Sequence, residues 1–218
     1  MASGERQTMA RLIDLTQTLR HGMRGVAFED TYTLENKGWN ARTLHLYSHC
    51  GTHVDAPVHF GVAGPTIDQI PLDQCMRTVW IADVPVHAPR ALITLNDLGD
   101  VAGRIGPDEG LLLRTGWSKK AGTPEYYPEM PRIADDLAQW CAARPLPILG
   151  VEAQAVADPN NLEEITRIHR ILLEAGVLIV EGLCNLDAIR QEKVTLMVFP
   201  LKIHEGDGAP VRAVALEE

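Results

Sequence analysis

From Thr43 to Phe60 the chain alternates between polar and apolar positions, a period of two that predicts an extended strand with two unlike faces. The β-branched stretch Val79-Trp80-Ile81-Ala82-Asp83-Val84, closed by Pro85, predicts a second strand. A short one is predicted ahead of both, at Leu12-Ile13-Asp14-Leu15-Thr16. Gly110–Thr115, Leu146–Glu152 and Val177–Glu181 are apolar runs too short for helices, which predicts buried strands. Thr195–Leu201 reads as another strand, continuing toward the polar turn Glu205-Gly206-Asp207-Gly208. The stretch carrying Gly22, Gly25, Glu29 and Asp30 reads as a loop, and Leu92–Leu98 fits either strand or helix.

Two segments carry the helical period instead. Between Pro131 and Arg144, Ile133, Leu137, Trp140 and Cys141 fall three or four residues apart on one face, and Pro145 and Pro147 stop the helix. A second helix is predicted over Leu162–Ala175, with Asn160 or Asn161 as N-cap and Gly176 at its C-terminal end. Strands outnumber helices and no repeat or linker divides them, so we expect one mixed α/β or α+β domain over residues 11–218, preceded by a flexible tail at 1–10.

Composition narrows the partners. Acidic side chains number 29 and basic ones 20, a formal charge of −9 that opposes attraction to nucleic acid or anionic lipid. No apolar run approaches the roughly 20 residues that a membrane-spanning helix needs. The polar start Met1–Thr8 lacks the apolar core of a secretory signal, and Cys50, Cys75, Cys141 and Cys184 include no C-x-x-C pair. Together these predict a cytoplasmic protein with reduced thiols.

The candidate chemistry lies in the histidines. Four of the eight, His45, His49, His53 and His59, fall within fifteen positions, all odd-numbered like Asp55, whereas Leu44, Leu46, Cys50, Val54, Ala56, Val58 and Phe60 are even. In an extended chain one face would therefore carry imidazoles and a carboxylate, the donor set of a divalent transition metal, while the other packs into a core. A straight strand would hold His49 and His53 about 13 Å apart at roughly 3.3 Å per residue. One shared ion therefore requires a bend, which Gly51 and Thr52 can supply, with Pro57 fixing the chain beyond. Ser48 and Cys50 have the parity of the core face and lie in no nucleophile-elbow pattern.

Residues 49–59, His-Cys-Gly-Thr-His-Val-Asp-Ala-Pro-Val-His, match H-x-G-T-H-x-D-x-P-x-H and resemble the metal-dependent cyclase family that contains bacterial kynurenine formamidase and isatin hydrolase. The resemblance continues through Ile67–Leu72, Arg114-Thr115-Gly116-Trp117 and Pro200-Leu201-Lys202. It implies a swivelling β/β/α fold with a strand-rich core, assembled as homodimers or homotetramers. It also implies one or two divalent ions, zinc first and manganese second, held by His49, His53, Asp55, His169 and Glu181, with His59 as catalytic acid or base. Independently, His169 shares a helical face with Ile165, Leu172 and Leu173, and Glu181 ends an apolar strand.

The activity so implied is hydrolysis of an amide C–N bond in a small molecule, by hydroxide generated at the metal, as in kynurenine formamidase. A cyclic amide such as isatin, another acyl or lactone substrate, and a non-catalytic metal- or ligand-binding protein stand as alternatives. Formamidases hold the substrate ring with an aromatic residue near the N-terminal segment, for which this chain offers Phe28, Tyr32 and Trp39. Gly150–Asp158 departs from the Gly-x-Asp pattern of other members, which leaves substrate recognition open.

Overall fold

The parallel strands at the centre of the molecule explain its unbroken apolar runs. The computed structural model describes residues 10–144 and 146–218. The expected tail at 1–9 and the helix stop at Pro145 lie outside them. In chain order the strands are β1 (Arg11–Asp14), β2 (Val26–Tyr32), β3 (Ala41–Leu46), β4 (His53–Asp55), β5 (Met76–Asp83), β6 (Leu92–Ile93), β7 (Gly110–Arg114), β8 (Arg132–Ile133), β9 (Ile148–Val151), β10 (Leu178–Glu181), β11 (Lys193–Pro200) and β12 (Gly208–Glu217). The helices are α1 (Leu34–Lys37), α2 (Val101–Arg104), α3 (Asp135–Ala143) and α4 (Leu162–Glu174).

The main sheet runs β1-β12-β11-β5-β7-β9-β10-β4, and β4 pairs again with β12. That second pairing closes seven strands into a ring, and β1 pairs with β12 farther along, at Val214–Glu217. Strands β5, β7, β9 and β10 are parallel neighbours, so crossovers cover one face while the ring interior covers the other. Alternate residues accordingly enter different cores. Leu111, Leu113, Leu149 and Ile179 pack outward with Leu137 and Cys141 of α3 and Ile168 and Leu172 of α4. Leu112, Ile148, Leu178 and Val180 face inward with Val54, Val79, Ile81, Leu196 and Ala213. A strand with no polar face is what this double burial demands.

Four sequence expectations are corrected. Thr43–Phe60 is not one strand: the chain leaves β3 at Leu46, turns through Tyr47–Thr52, and re-enters the sheet for only three residues of β4. The stretch read as a loop around Glu29 and Asp30 forms β2, paired antiparallel with β3 as a separate hairpin; its exposed, charged residues hid the strand. The helix expected from Pro131 starts at Asp135, because Arg132 and Ile133 pair with β6 instead. Finally β12 was not anticipated, although its burial alternates at Ala213, Val214, Ala215 and Leu216.

Candidate metal centre

Sheet register brings the first three groups together. His53 and Asp55 are alternate residues of β4 and share a face, while Val54 enters the core behind them. His53 is the register partner of Glu181 at the end of β10, which places its Nε2 3.2 Å from Glu181 Oε2 and 3.4 Å from Asp55 Oδ1. All three side chains are fully buried.

The other histidines arrive from different directions. Helix α4, capped by Asn161 Oδ1 accepting from the Glu164 N–H at 3.1 Å, buries His169. Its Nδ1 lies 2.7 Å from the Ile165 carbonyl, and its Nε2 lies 3.4 Å from Glu181 Oε1 and 3.6 Å from Asp55 Oδ2. His49 comes from the turn before Gly51, whose φ of +59° suits glycine, and its Nδ1 lies 2.8 Å from Asp55 Oδ1. His59 comes from the 3-10 turn Pro57–Phe60 rather than along an extended strand; its ring stacks on His49 with centroids 3.7 Å apart. The bend at Gly51 is present where spacing required one.

Asp207 was missed. It lies in the turn read only as polar, and its Oδ2 is 3.3 Å from His49 Nε2 and 3.9 Å from His59 Nδ1. Its neighbour Gly208 leaves room for the His49 ring, since a Cβ there would stand 2.5 Å from His49 Cε1. Two polar groups, half-buried Gln154 and buried Thr52, orient the turn. Gln154 Nε2 donates to the carbonyl oxygens of Gly51 at 2.9 Å and His49 at 3.2 Å. Thr52 Oγ1 accepts from the Gln17 N–H and donates to the Gly182 carbonyl.

Burial would raise the Asp55 carboxyl, but the His49 hydrogen bond and the charges of His53, His49 and His169 hold it well below the usual range. Burial and the charge of Asp55 push Glu181 up, and the imidazoles of His169 and His53 close to it more than offset them. His49 shows the converse: burial lowers it, while the Asp55 hydrogen bond and the charges of Asp55, Glu181 and Asp207 raise it to about 9. The surrounding imidazoles thus favour the charged form of both buried carboxyls, and buried negative charge needs positive charge beside it.

The residues present fit a divalent ion. His53 Nε2 and Asp55 Oδ2 are buried without any hydrogen-bond partner, a costly state for two polar atoms. His53, Asp55 and Glu181 each offer a donor within 4.8 Å of the others, and so do His49, Asp55 and His59. Asp55 belongs to both groups. His45 stands apart on β3, exposed beside Glu29.

A cavity of about 640 Å³ opens beside this centre, with His49, Gly51 and Gln154 on its floor and residues from Thr16–Arg24 and Ala121–Tyr127 as walls. Phe28 and Trp39 are not among its lining residues. Phe28 lies behind His21, to whose Nδ1 its N–H donates at 3.1 Å. Trp39 is exposed on the β2–β3 hairpin and packs on Tyr32.

The segment Gly150–Asp158 also has a visible task. Glu152 is buried and accepts hydrogen bonds from Thr115 N, Thr115 Oγ1, Gly116 N and Ser118 Oγ. It thereby ties the loop after β7 to the loop after β9, behind the cavity.

Residues 13–158 match the Cyclase family model. A kynurenine formamidase of Salinibacter ruber is 33% identical over 176 residues, 80% of this chain and 79% of its own. One of Bacillus cereus is 30% identical over 217 residues, 93% and 95% of the two chains. Among solved structures, isatin hydrolase A from Labrenzia aggregata, bound to benzyl benzoate, superposes with a TM-score of 0.83 at 25% identity, covering 95% of this chain and 93% of that one. With two thirds of its length matched by the family model and its histidine-rich turn folded around a buried carboxylate, the chain belongs to the Cyclase family.

Proposed function

We propose that the chain is a metal-dependent amidohydrolase of the kynurenine formamidase type, cleaving the C–N bond of a small amide. The observation that carries this reading is the pair of orphaned buried atoms, His53 Nε2 and Asp55 Oδ2, with Glu181 beside them and His49 linking Asp55 to the cavity. The formamidase relatives support the amide, and they cover 80% and 93% of this chain. A cyclic amide such as isatin is the second reading, favoured by the likeness to isatin hydrolase A.

In this reading His49, His53, Asp55, His169 and Glu181 hold one or two divalent ions. Imidazole with carboxylate suits zinc first and manganese second. A bound ion supplies Lewis acidity, bringing the pKa of water toward neutrality and polarising a carbonyl oxygen.

The protein's own groups do the rest. Burial and the charges of His49 and His169 outweigh the pull of Asp55 and keep His59 below its ordinary 6.5. Its imidazole is therefore neutral at pH 7, able to take a proton from water and pass it to the leaving nitrogen. The stack on His49 fixes the plane of its ring. Gln17 Nε2 already donates to Tyr126 Oη and the Gly182 carbonyl, so this amide is a rigid wall of the cavity.

The cellular setting in this reading is the cytoplasm. The four cysteines are all unpaired, in keeping with a reducing compartment, and among the described residues no helix is long and apolar enough to cross a membrane. Exposed Tyr32, Leu34, Trp39 and Leu44 on the β2–β3 hairpin support self-association as a dimer or tetramer.

The test is elemental analysis of protein purified without added metal or chelator, with hydrolysis of N-formylkynurenine and isatin before and after metal removal and restoration. One to two equivalents of zinc or manganese with restorable activity is the expected result. Absence of metal affinity overturns the ligand set, and bound metal with no turnover of either compound or of a wider amide panel overturns the hydrolase.

A further inference from the structure

The walls of the cavity carry an asymmetry of charge. Arg20, His21 and Arg24 line it, and none of its lining residues is Asp or Glu. Acidic groups predominate in the chain, with a formal charge of −9, so a cavity whose lining includes arginines and no carboxylate departs from the overall balance. Many arginines here are neutralised by carboxylates, as in Arg42–Asp30, Arg114–Asp83, Arg132–Glu164 and Arg212–Asp14. Among the described residues Arg20 and Arg24 have no such partner within 4 Å.

The fold holds the Arg24 side chain in place and ties the backbone at Arg20 into a turn. The Arg24 guanidinium lies 3.8 Å from the Tyr127 ring centroid and donates from Nη2 to Tyr127 Oη at 3.1 Å, a contact from one cavity wall to the other. The turn that carries both arginines is closed by the Met23 N–H donating to the Arg20 carbonyl and the Val26 N–H to the Met23 carbonyl. His21 adds a directed donor: because its Nδ1 accepts from the Phe28 N–H, the ring proton resides on Nε2. A guanidinium presents a planar fork matched to a carboxylate, and uncompensated positive charge at a cavity mouth draws anions in.

We infer that Arg20 and Arg24, with His21, form a carboxylate-reading subsite, so that this chain prefers amides bearing a carboxylate remote from the scissile bond over neutral ones. The inference rests on the hydrolase reading for its substrate. It separates the two kinds of compound which that reading left open: a neutral cyclic amide such as isatin makes no use of these arginines.

The experiment compares N-formylkynurenine with its methyl ester on metal-replete wild-type protein and on R20Q, R24Q, the double variant and R24K. Wild type is expected to favour the acid by roughly tenfold to a hundredfold in kcat/KM, mostly through KM, as for a hydrogen bond between charged groups. The double variant is expected to lose that preference and R24K to keep part of it. A wild-type preference under about twofold overturns the proposal. So does an equal loss on acid and ester in R24Q, which would reduce Arg24 to a prop for Tyr127. No turnover of either compound by wild type would mark failure of the formamidase reading instead. The subsite is then judged by calorimetry with kynurenine and kynurenine methyl ester: it stands if the acid binds at least roughly tenfold tighter and the double variant removes the difference, and falls otherwise.

Discussion

His53 Nε2 and Glu181 Oε2 lie 3.2 Å apart because their residues are register partners across β4 and β10. The distance is set by backbone hydrogen bonding and not by a flexible loop. A one-residue slip of β4 would turn His53 and Asp55 away together and bring Val54 into the centre. The site and the sheet are thus one structure, and damage to either is measurable in the other.

Asp55 is the group on which the site converges, with His49, His53 and His169 all around it. Asp55→Ala is expected to cut metal content below a tenth of wild type by elemental analysis and to abolish hydrolysis. In urea unfolding of the metal-free proteins it is expected to cost about 3–5 kcal/mol, the loss typical of breaking a buried charge pair. Retention of wild-type metal content would remove Asp55 from the ligands.

His59 separates ligation from proton transfer. His59→Ala is expected to keep its metal and to lower kcat roughly 10²–10⁴-fold, the range for a lost general acid–base. Loss of metal in parallel with activity would instead make His59 a ligand, alongside His49 and Asp55.

Gly208→Ala tests the seat of His49. A Cβ would stand 2.9 Å from His49 Nε2 and 3.0 Å from Nδ1, so the ring must shift. We expect kcat/KM to fall at least roughly tenfold, about 1.4 kcal/mol of transition-state stabilisation. Circular dichroism should show the strand content retained. Unchanged kinetics would show that the position of His49 is not critical.

Glu109 offers a pH test away from the centre. It accepts hydrogen bonds from Trp80 Nε1 at 2.6 Å, Gly106 N at 2.8 Å and Lys193 Nζ at 3.0 Å. Burial raises its pKa, but these donors and the Lys193 charge carry it below 4.5. A carboxyl lowered on folding contributes stability that is present above its unfolded value and lost as pH falls through the folded one. Glu109→Gln is therefore expected to cost about 1–3 kcal/mol near pH 7. Urea unfolding at about pH 3.5 should show a smaller difference from wild type, and an equal cost at both pH values would assign the effect to packing.

The sequence made the metal centre more legible than the fold around it. Crowded donors and a glycine between them announce a site before any strand is assigned, since His49, His53 and Asp55 can meet only if the chain bends. The shared odd parity of His45, His49, His53 and His59 nevertheless suggested one strand. Their parity carried over because a turn and a 3-10 segment delivered His49 and His59 to the same place by other routes. Asp207 had no local signal: Glu205–Gly208 is polar, glycine-rich and turn-like, and only the pairing of β12 with β4 brings it to His49. Glu152 was equally hidden, as a carboxylate at a strand end looks solvated until the backbone donors of Thr115 and Gly116 are seen.

The ring closes where Gly208–Pro210 of β12 meets His53–Asp55 of β4, and β12 follows every proposed ligand in the chain. During synthesis the histidines and carboxylates therefore emerge from the ribosome well before the strand that shelters them. Until that last segment docks, the seat of His49 against Gly208 does not exist and Asp55 lies open to water. Completion of the site is therefore expected to wait on the pairing of segments distant in sequence, and a chain stalled short of β12 would lack the seat of His49.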